Sequence, residues 1–408
     1  SRPPPCGAFS HPGSAGYIPP HSPVGLGSAP APACVDAATA PGRLRLPPPQ
    51  LMLLAAAAQS PTATALATML AVAGILWRPK DMRDVEAQAF LDHFPCHRHH
   101  TNYWGMRFGK GFGHKPALLM RFDWYLYGEP PGSKHDHHGP SVRRHEDPRT
   151  VVASPSKWDQ LAALAGGGLQ QGPQRALVFA GMPERPISED VGADPETQGQ
   201  RLGVLRRAFG RVLHEYKDVD LEGVLTLPSG LNELYFRPGN LRMAMAAIAA
   251  ARLDADAKPR PLLLVHTIHW IWTAWNVTSR VEARKWANSS EGRAVGVDMR
   301  FIHPKEWWRE LSMYRFLMSP TGTGIQCAKT IEALLVLTVP IVQRCVAHDD
   351  LVRYGFPLVV VDQWTEITRS NLSSWWLSSS PRLASFRRNC LTTEAYWRLI
   401  VGETERCE

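Results

Sequence analysis

Two kinds of pattern are missing from this chain, and each absence removes a class of protein. None of its seven cysteines, at 6, 34, 96, 327, 345, 390 and 407, belongs to a CxxC pair, and they are spread over the whole length. That spacing excludes a cysteine-ligated zinc module and a small disulfide-framed scaffold, and the odd count leaves at least one thiol without an intrachain partner. A basic stripe is missing too. The formal net charge is +8, yet from Asp81 onward 40 Lys+Arg face 36 Asp+Glu, an excess of only 4. A dedicated nucleic-acid binder concentrates its cations, so nucleic acid is excluded as the partner. No internal repeat of fixed period is present. What remains is a chain of 408 residues, 44% hydrophobic and 20% charged. That is globular composition, with enough length for two domains and sizeable cores.

The chain changes character along its length. Residues 1–50 hold 13 Pro and 6 Gly with Asp36 as the one acid, and such a segment is expected to be a disordered tail. Residues 51–77 carry no charge and are flanked by Arg43, Arg45, Arg78 and Lys80. About 20 apolar residues span a bilayer as helix. Three readings stay open for this stretch: a membrane-anchor helix, a cleaved targeting segment, or a buried Ala-rich helix. Residues 81–149 are aromatic-rich and hold nine of the sixteen histidines. Beyond 154, short apolar runs at 176–180, 223–227, 261–266, 297–302, 315–319, 339–343 and 357–361 read as buried strands. Helices are expected between them at 198–216, 241–253, 304–314, 325–337 and 347–354. Alternation of this kind predicts an α/β fold with parallel sheets covered on both faces. Such sheets bind ligands at the carboxyl ends of their strands.

One stretch, 315–340, carries the sharpest signal. A strand runs into the loop Ser319-Pro320-Thr321-Gly322-Thr323-Gly324, then into a helix. Gly322 and Gly324 allow main-chain N–H groups close to an anion, and a helix start adds its positive dipole end. Lys329 and Glu332, three apart, share a helix face. A cation there can neutralise phosphate and the carboxylate can accept from sugar or ribose hydroxyls. The same residues also fit an ordinary strand-to-helix turn with a surface Lys–Glu pair.

The longer pattern resembles the C-terminal half of exostosin-like glycosyltransferases. In that family a strand ends in Ser-Pro, a Gly-x-Gly loop follows, and a helix carries a basic residue three before Glu-Ala-Leu. Pro-Ile-Val and an acidic-Trp-x-Glu segment come later. The matching residues are Ser319, Pro320, Gly322, Gly324, Lys329, Glu332, Ala333, Leu334, Pro340, Ile341, Val342, Pro357, Asp362, Trp364 and Glu366, with Arg280 at the position of a basic residue upstream. The resemblance covers residues 260–370. The chain departs from the pattern at Gln326 and Ala328, where the family has an acid and the His of a His-Arg pair, at Lys329 in place of that Arg, and at Gln363. Lys keeps the charge but loses the bidentate fork.

The resemblance implies two Rossmann-like lobes, an N-terminal acceptor-side lobe over 81–255 and a C-terminal nucleotide-sugar lobe over 256–408. It implies sugar transfer from a nucleotide-sugar donor to a glycan or glycoprotein acceptor, with Arg280, Ser319, Gly322, Gly324, Lys329 and Glu332 at the donor. No cofactor or essential metal is implied, and the catalytic base is not named by it. It also implies a Golgi or endoplasmic reticulum enzyme, anchored by one helix with its catalytic body lumenal; an organellar location is the alternative. The rival function is a non-catalytic glycan- or nucleotide-binding protein that kept the fold.

Other features read more simply. Asp254-Ala255-Asp256 is expected to be a solvated turn. The histidines at 97–100 and 135–138 read as loop residues, and His266 and His269 as structural. Trp307–Trp308 and Trp375–Trp376 are expected to pack helices. Asn276, Asn288 and Asn371 begin N-glycosylation sequons.

Overall fold

A computed structural model describes residues 93–94, 117–126, 142–143, 145–170, 172, 174–181, 185–192, 194–231, 238–265, 277–322 and 324–407. The tail at 1–50, the apolar stretch at 51–77 and the histidines at 97–100, 135–138, 266 and 269 lie outside these residues. Among the described residues no helix is long and apolar enough to cross a membrane.

The N-terminal part runs through α1 (Ala117–Met120), β1 (Trp124–Leu126), β2 (Val142–Arg143), β3 (Thr150–Ala153), α2 (Trp158–Gly167), β4 (Ala176–Phe179), α3 (Ile187–Val191), α4 (Pro195–Ala208), β5 (Arg211–His214) and β6 (Val224–Thr226). The strands form one sheet in the order β2-β1-β3-β4-β5-β6, parallel except for β2. Side chains alternate across it. Trp124, Leu126, Val151, Ala153, Leu177, Phe179 and Val212 face a core with Trp158, Leu161, Leu202 and Leu205 of α2 and α4. Tyr125, Val152, Val178 and Leu213 turn to the other face and join the larger core. Strands buried on both faces read as continuous apolar runs, which is why this part shows no clean alternation in sequence.

One expected element is corrected here. The sequence predicts a helix over 198–216, but α4 stops at Ala208 and β5 begins at Arg211. Leu202, Leu205 and Ala208 keep a helical spacing that Val212 happens to continue. Arg211–His214 instead pairs with β4 on one side and β6 on the other, and two flanking ladders outweigh local propensity.

The C-terminal part holds α5 (Pro238–Ala250), β7 (Arg260–Val265), α6 (Val277–Ala287), α7 (Ser290–Val295), β8 (Val297–Arg300), α8 (Trp307–Leu311), β9 (Tyr314–Met318), α9 (Ala328–Leu335), β10 (Val339–Gln343), α10 (Val346–Arg353), β11 (Val359–Val361), α11 (Arg369–Asn389) and α12 (Thr393–Val401). Its five strands are all parallel, in the order β8-β7-β9-β10-β11. The seven apolar runs read as strands all fall on strands, within one or two residues. Asp254–Ala257 is an exposed turn in which Asp254 Oδ1 accepts from Ala257 N at 2.7 Å.

Both sheets belong to one compact unit. The last helix, α12, packs on β4 and α1 of the N-terminal sheet, so the chain ends by crossing back to the first lobe. A disulfide between Cys390 and Cys407 closes the segment that holds it. Beneath the C-terminal sheet, Lys258 is fully buried and its Nζ donates to the carbonyls of Ser312, Tyr314 and Val336 and to Thr338 Oγ1, at 2.8 to 3.2 Å. Four oxygens hold this ammonium while burial pushes its pKa down to about 7.

Candidate functional site

The order β8-β7-β9-β10-β11 reverses direction between β7 and β9. Connections leave the two strands on opposite sides there, which opens a crevice at their carboxyl ends. The glycine loop follows β9 and therefore stands at this crevice. Ser319 N extends the ladder by donating to Ile341 O at 2.8 Å, and Ser319 Oγ pairs with Thr330 Oγ1 at 2.9 Å. Both hydroxyls are buried, so Ser319 ties the loop to the first turn of α9.

From the β7 side, α6 grips the loop twice. Thr321 N donates to Ser279 Oγ at 3.3 Å, and Arg280 Nε donates to Thr321 O at 3.1 Å. A Cβ added to Gly322 would fall 2.5 Å from Arg280 Nη2, so the guanidinium lies against the glycine and would have to move for any side chain there. Gly322 N donates to Gly324 O at 3.0 Å, which folds the loop back on itself. Arg280, Gly322 and Gly324, far apart in sequence at 280 and 322–324, thus meet at one place. Behind them, Trp364 Nε1 donates to Ser279 O at 3.3 Å. Glu366 accepts from Asp362 N and Gln363 N, both at 2.7 Å, and so caps the turn that carries Trp364.

Lys329 and Glu332 form a second group beside the loop. The sequence places Glu332 at the lip of the cleft, facing ligand or water. The structure buries it completely, and its Oε2 accepts from Trp307 Nε1 at 2.6 Å. Lys329 Nζ lies 5.6 Å from the centroid of the same indole. Trp307, itself buried with Trp308, is therefore fixed by a carboxylate at its edge and a cation on its face. A carboxylate inside an apolar helix stretch signals a partner, but only packing shows that the partner is Trp307.

Gln326 explains one departure from the exostosin-like pattern. Its Oε1 accepts from Ser229 N at 2.7 Å, while its Nε2 donates to Glu215 O at 2.6 Å and Leu227 O at 2.8 Å. All of these groups are buried, and all three partners belong to the N-terminal lobe. An acid at 326 would point a carboxylate at two carbonyl oxygens, so an amide is required. Glu215 in turn accepts from Gly181 N and Ser229 Oγ, each at 3.0 Å. Further along the junction, Lys217 Nζ donates to Asp350 Oδ2 at 3.0 Å, and Thr226 Oγ1 donates to the same oxygen at 2.6 Å. Both charges are buried. Apart from Gln326, which reads as a departure from a pattern, the sequence singles out none of this junction, because its cross-lobe partners lie 97 to 133 residues apart.

The remaining titratable cluster sits at the carboxyl end of β5. His214 accepts from Tyr216 N through Nδ1 at 3.0 Å, and its Nε2 stands 4.0 Å from Asp190 Oδ2. Arg185 reaches Asp190 at 3.1 Å from the rim. Burial pushes Asp190 up to about 7, against the pull of Arg185, and pushes His214 down to about 3. Among the described residues no three His, Cys, Asp or Glu side chains come together to hold a metal ion.

No family profile matches the chain, and no curated protein matches it. Among solved structures it is similar to an alpha1,3-fucosyltransferase at 10% identity, over 69% of this chain and 91% of that one, with a TM-score of 0.31. The same kind of enzyme with GDP aligns at 10% identity, over 68% and 90%, with a TM-score of 0.29. The spinosyn rhamnosyltransferase SpnG complexed with thymidine diphosphate aligns at 11% identity, over 62% and 68%, with a TM-score of 0.27. Scores of this size carry no weight for fold or function, which rest on the topology and contacts above.

Proposed function

We propose that this chain is a glycosyltransferase of the exostosin-like kind, moving a sugar from a nucleoside-diphosphate donor to a glycan or glycoprotein acceptor. The observation that supports this reading is the meeting of Arg280 with the Gly322–Gly324 loop at the reversal point of a parallel sheet. As the bond from the anomeric carbon to the diphosphate breaks, negative charge grows on the leaving oxygen. Arg280 and the start of α9 would stabilise that charge in place, without reorganisation. Gly322 and Gly324 let the main chain approach the diphosphate, and Ser319 holds the loop through Thr330. Glu332, engaged with Trp307, would act by holding that indole as a wall of the donor site, with Lys329 on its outer face.

In the same reading the protein works in the lumen of the Golgi or endoplasmic reticulum, anchored through 51–77. The Cys390–Cys407 disulfide is consistent with an oxidising compartment, and Asn288 presents its sequon in an exposed turn. The second reading, a binding protein without turnover, is favoured by one observation. Among the described residues near the carboxyl ends of the N-terminal strands, Asp190, His214, Glu215 and Asp218 are all buried, so none of these four is open to an acceptor hydroxyl.

Calorimetric titration with a panel of nucleoside diphosphates and their sugar derivatives, followed by an assay for released diphosphate, tests both. Saturable binding with turnover is expected. Binding with no turnover on any acceptor selects the second reading, and no binding of any nucleotide overturns both.

A further inference from the structure

The C-terminal sheet has a second concave feature, at the end away from the glycine loop. The first residues of β7 and β9 and the outer side of α11 enclose a groove of about 520 Å³. Phe316, Leu372, Trp376 and Leu377 supply apolar walls, and among the described residues Arg315 and Arg369 are its charged ones, with no acidic side chain lining it. Leu377 is 75% exposed and continues the apolar wall into solvent.

The two arginines are held in place. Arg315 Nε donates to Lys258 O at 3.2 Å, and Arg369 Nε donates to Ala294 O at 2.7 Å. The Arg315 guanidinium also lies 6.0 Å from the centroid of Trp376, whose ring meets Phe316 edge-on at 5.8 Å. Among the described residues, no carboxylate pairs with either guanidinium, and their terminal nitrogens are not used by the protein. Guanidinium groups anchored through Nε present their remaining donors at fixed positions, which lowers the entropy lost when an oxyanion binds.

The lining selects among ligands. A neutral sugar rich in hydroxyls would meet Ser373 and no carboxylate or amide side chain. A bare oxyanion would leave the apolar walls wet. A ligand with one anionic head and a hydrocarbon chain uses both halves, because charge is met by charge and the chain covers exposed apolar surface. We propose that this groove binds a single-chain lipid monophosphate, with the phosphate against Arg315 and Arg369 and the chain along Phe316, Leu372, Trp376 and Leu377. The site is separate from the donor site, and its occupancy does not depend on sugar transfer.

Octyl phosphate, kept below its micelle concentration, is the probe, titrated into the full chain by calorimetry beside inorganic phosphate and octyl glucoside. Saturable binding of one octyl phosphate is expected, at least tenfold tighter than either control. Leu377→Asp changes an exposed position, so it should leave the melting temperature in place while weakening octyl phosphate at least tenfold. Arg315→Gln combined with Arg369→Gln should erase the preference for octyl phosphate over octyl glucoside. Inorganic phosphate binding as tightly would make this an anion site only, and octyl glucoside binding as tightly would make it an uncharged apolar groove; either overturns the proposal. Affinity unchanged in both variants would place the probe elsewhere, such as on residues 51–77, and overturns it as well.

Discussion

Gly322 and Arg280 touch so closely that one methyl group decides the geometry between them. In Gly322→Ala the new Cβ would fall 2.5 Å from Arg280 Nη2. That atom is the end of a flexible side chain, so the guanidinium swings away and the fold survives. Nucleoside diphosphate affinity should fall about tenfold or more, with the melting temperature nearly unchanged, since one charge-assisted contact contributes about 1.5–3 kcal/mol; calorimetry beside thermal unfolding reads both. The opposite balance is expected at Trp307. Trp307→Phe removes the indole N–H that serves the buried Glu332 carboxylate, and an under-served buried acceptor costs about 1–3 kcal/mol. Chemical denaturation should show that loss whether or not nucleotide is present.

Among single elements, the segment carrying α12 has a role out of proportion to its nine residues. Tyr396 of that helix donates to Ser229 O at 3.1 Å, beside the Gln326 contacts, while Cys407 N donates to Tyr354 O at 2.8 Å. The Cys390–Cys407 disulfide spans 17 residues around it. Closing a loop of this size contributes about 3 kcal/mol in the chain-entropy account. Reduction, or Cys390→Ser with Cys407→Ser, should therefore lower the melting temperature by several degrees, and hydrogen exchange should speed up in α12 before it does in β9. Equal exchange in both states would mean that packing on β4 alone holds the helix. A pH effect belongs to β5 and α3. Asp190 is raised to about 7 and His214 lowered to about 3. The raised carboxyl makes stability fall as pH climbs from about 4 to about 7, and the lowered imidazole makes it rise from about 3 to about 6.5. The two slopes oppose each other over most of that range. Denaturation of Asp190→Asn should show stability rising with pH below about 6.5, and His214→Phe should show it falling up to about 7.

At the scale of the whole molecule, buried polar groups join the two lobes. Lys217 and Asp350 form the central pair, supported by Thr226, Arg353 and the Gln326 contacts. Removing one member of a buried pair strands the other, at a cost of about 3–5 kcal/mol. Because Arg353 still reaches Asp350, Lys217→Met should show a loss at or below the low end of that range in denaturant. Lys217→Met with Asp350→Leu should recover most of it, because no buried charge is then left unpaired and Arg353, which also pairs with Asp350, is exposed. Small-angle scattering should find the single variant more extended and the double variant close to the parent. An unchanged profile in all three would mean that α12 and the disulfide hold the lobes together without the pair.

The sequence by itself determined the class of sheet and the position of the loop. Buried parallel strands are short apolar runs, and the runs at 315–319, 339–343 and 357–361 are legible because each is bounded by turn residues or a helix start. Gly322 and Gly324 are legible for the same local reason, as is the alternation that predicts an α/β fold with parallel sheets. Only the tertiary structure decided the rest. Whether 211–214 is helix or strand depends on β4 and β6, which supply its hydrogen bonds. Whether Glu332 faces ligand or core depends on Trp307, 25 positions earlier. Gln326 reads in sequence as a departure from a pattern, yet its meaning is fixed by carbonyls at 215 and 227 in the other lobe. Local propensity and spacing act within a few residues, whereas a buried polar group is defined by whichever distant atom satisfies it.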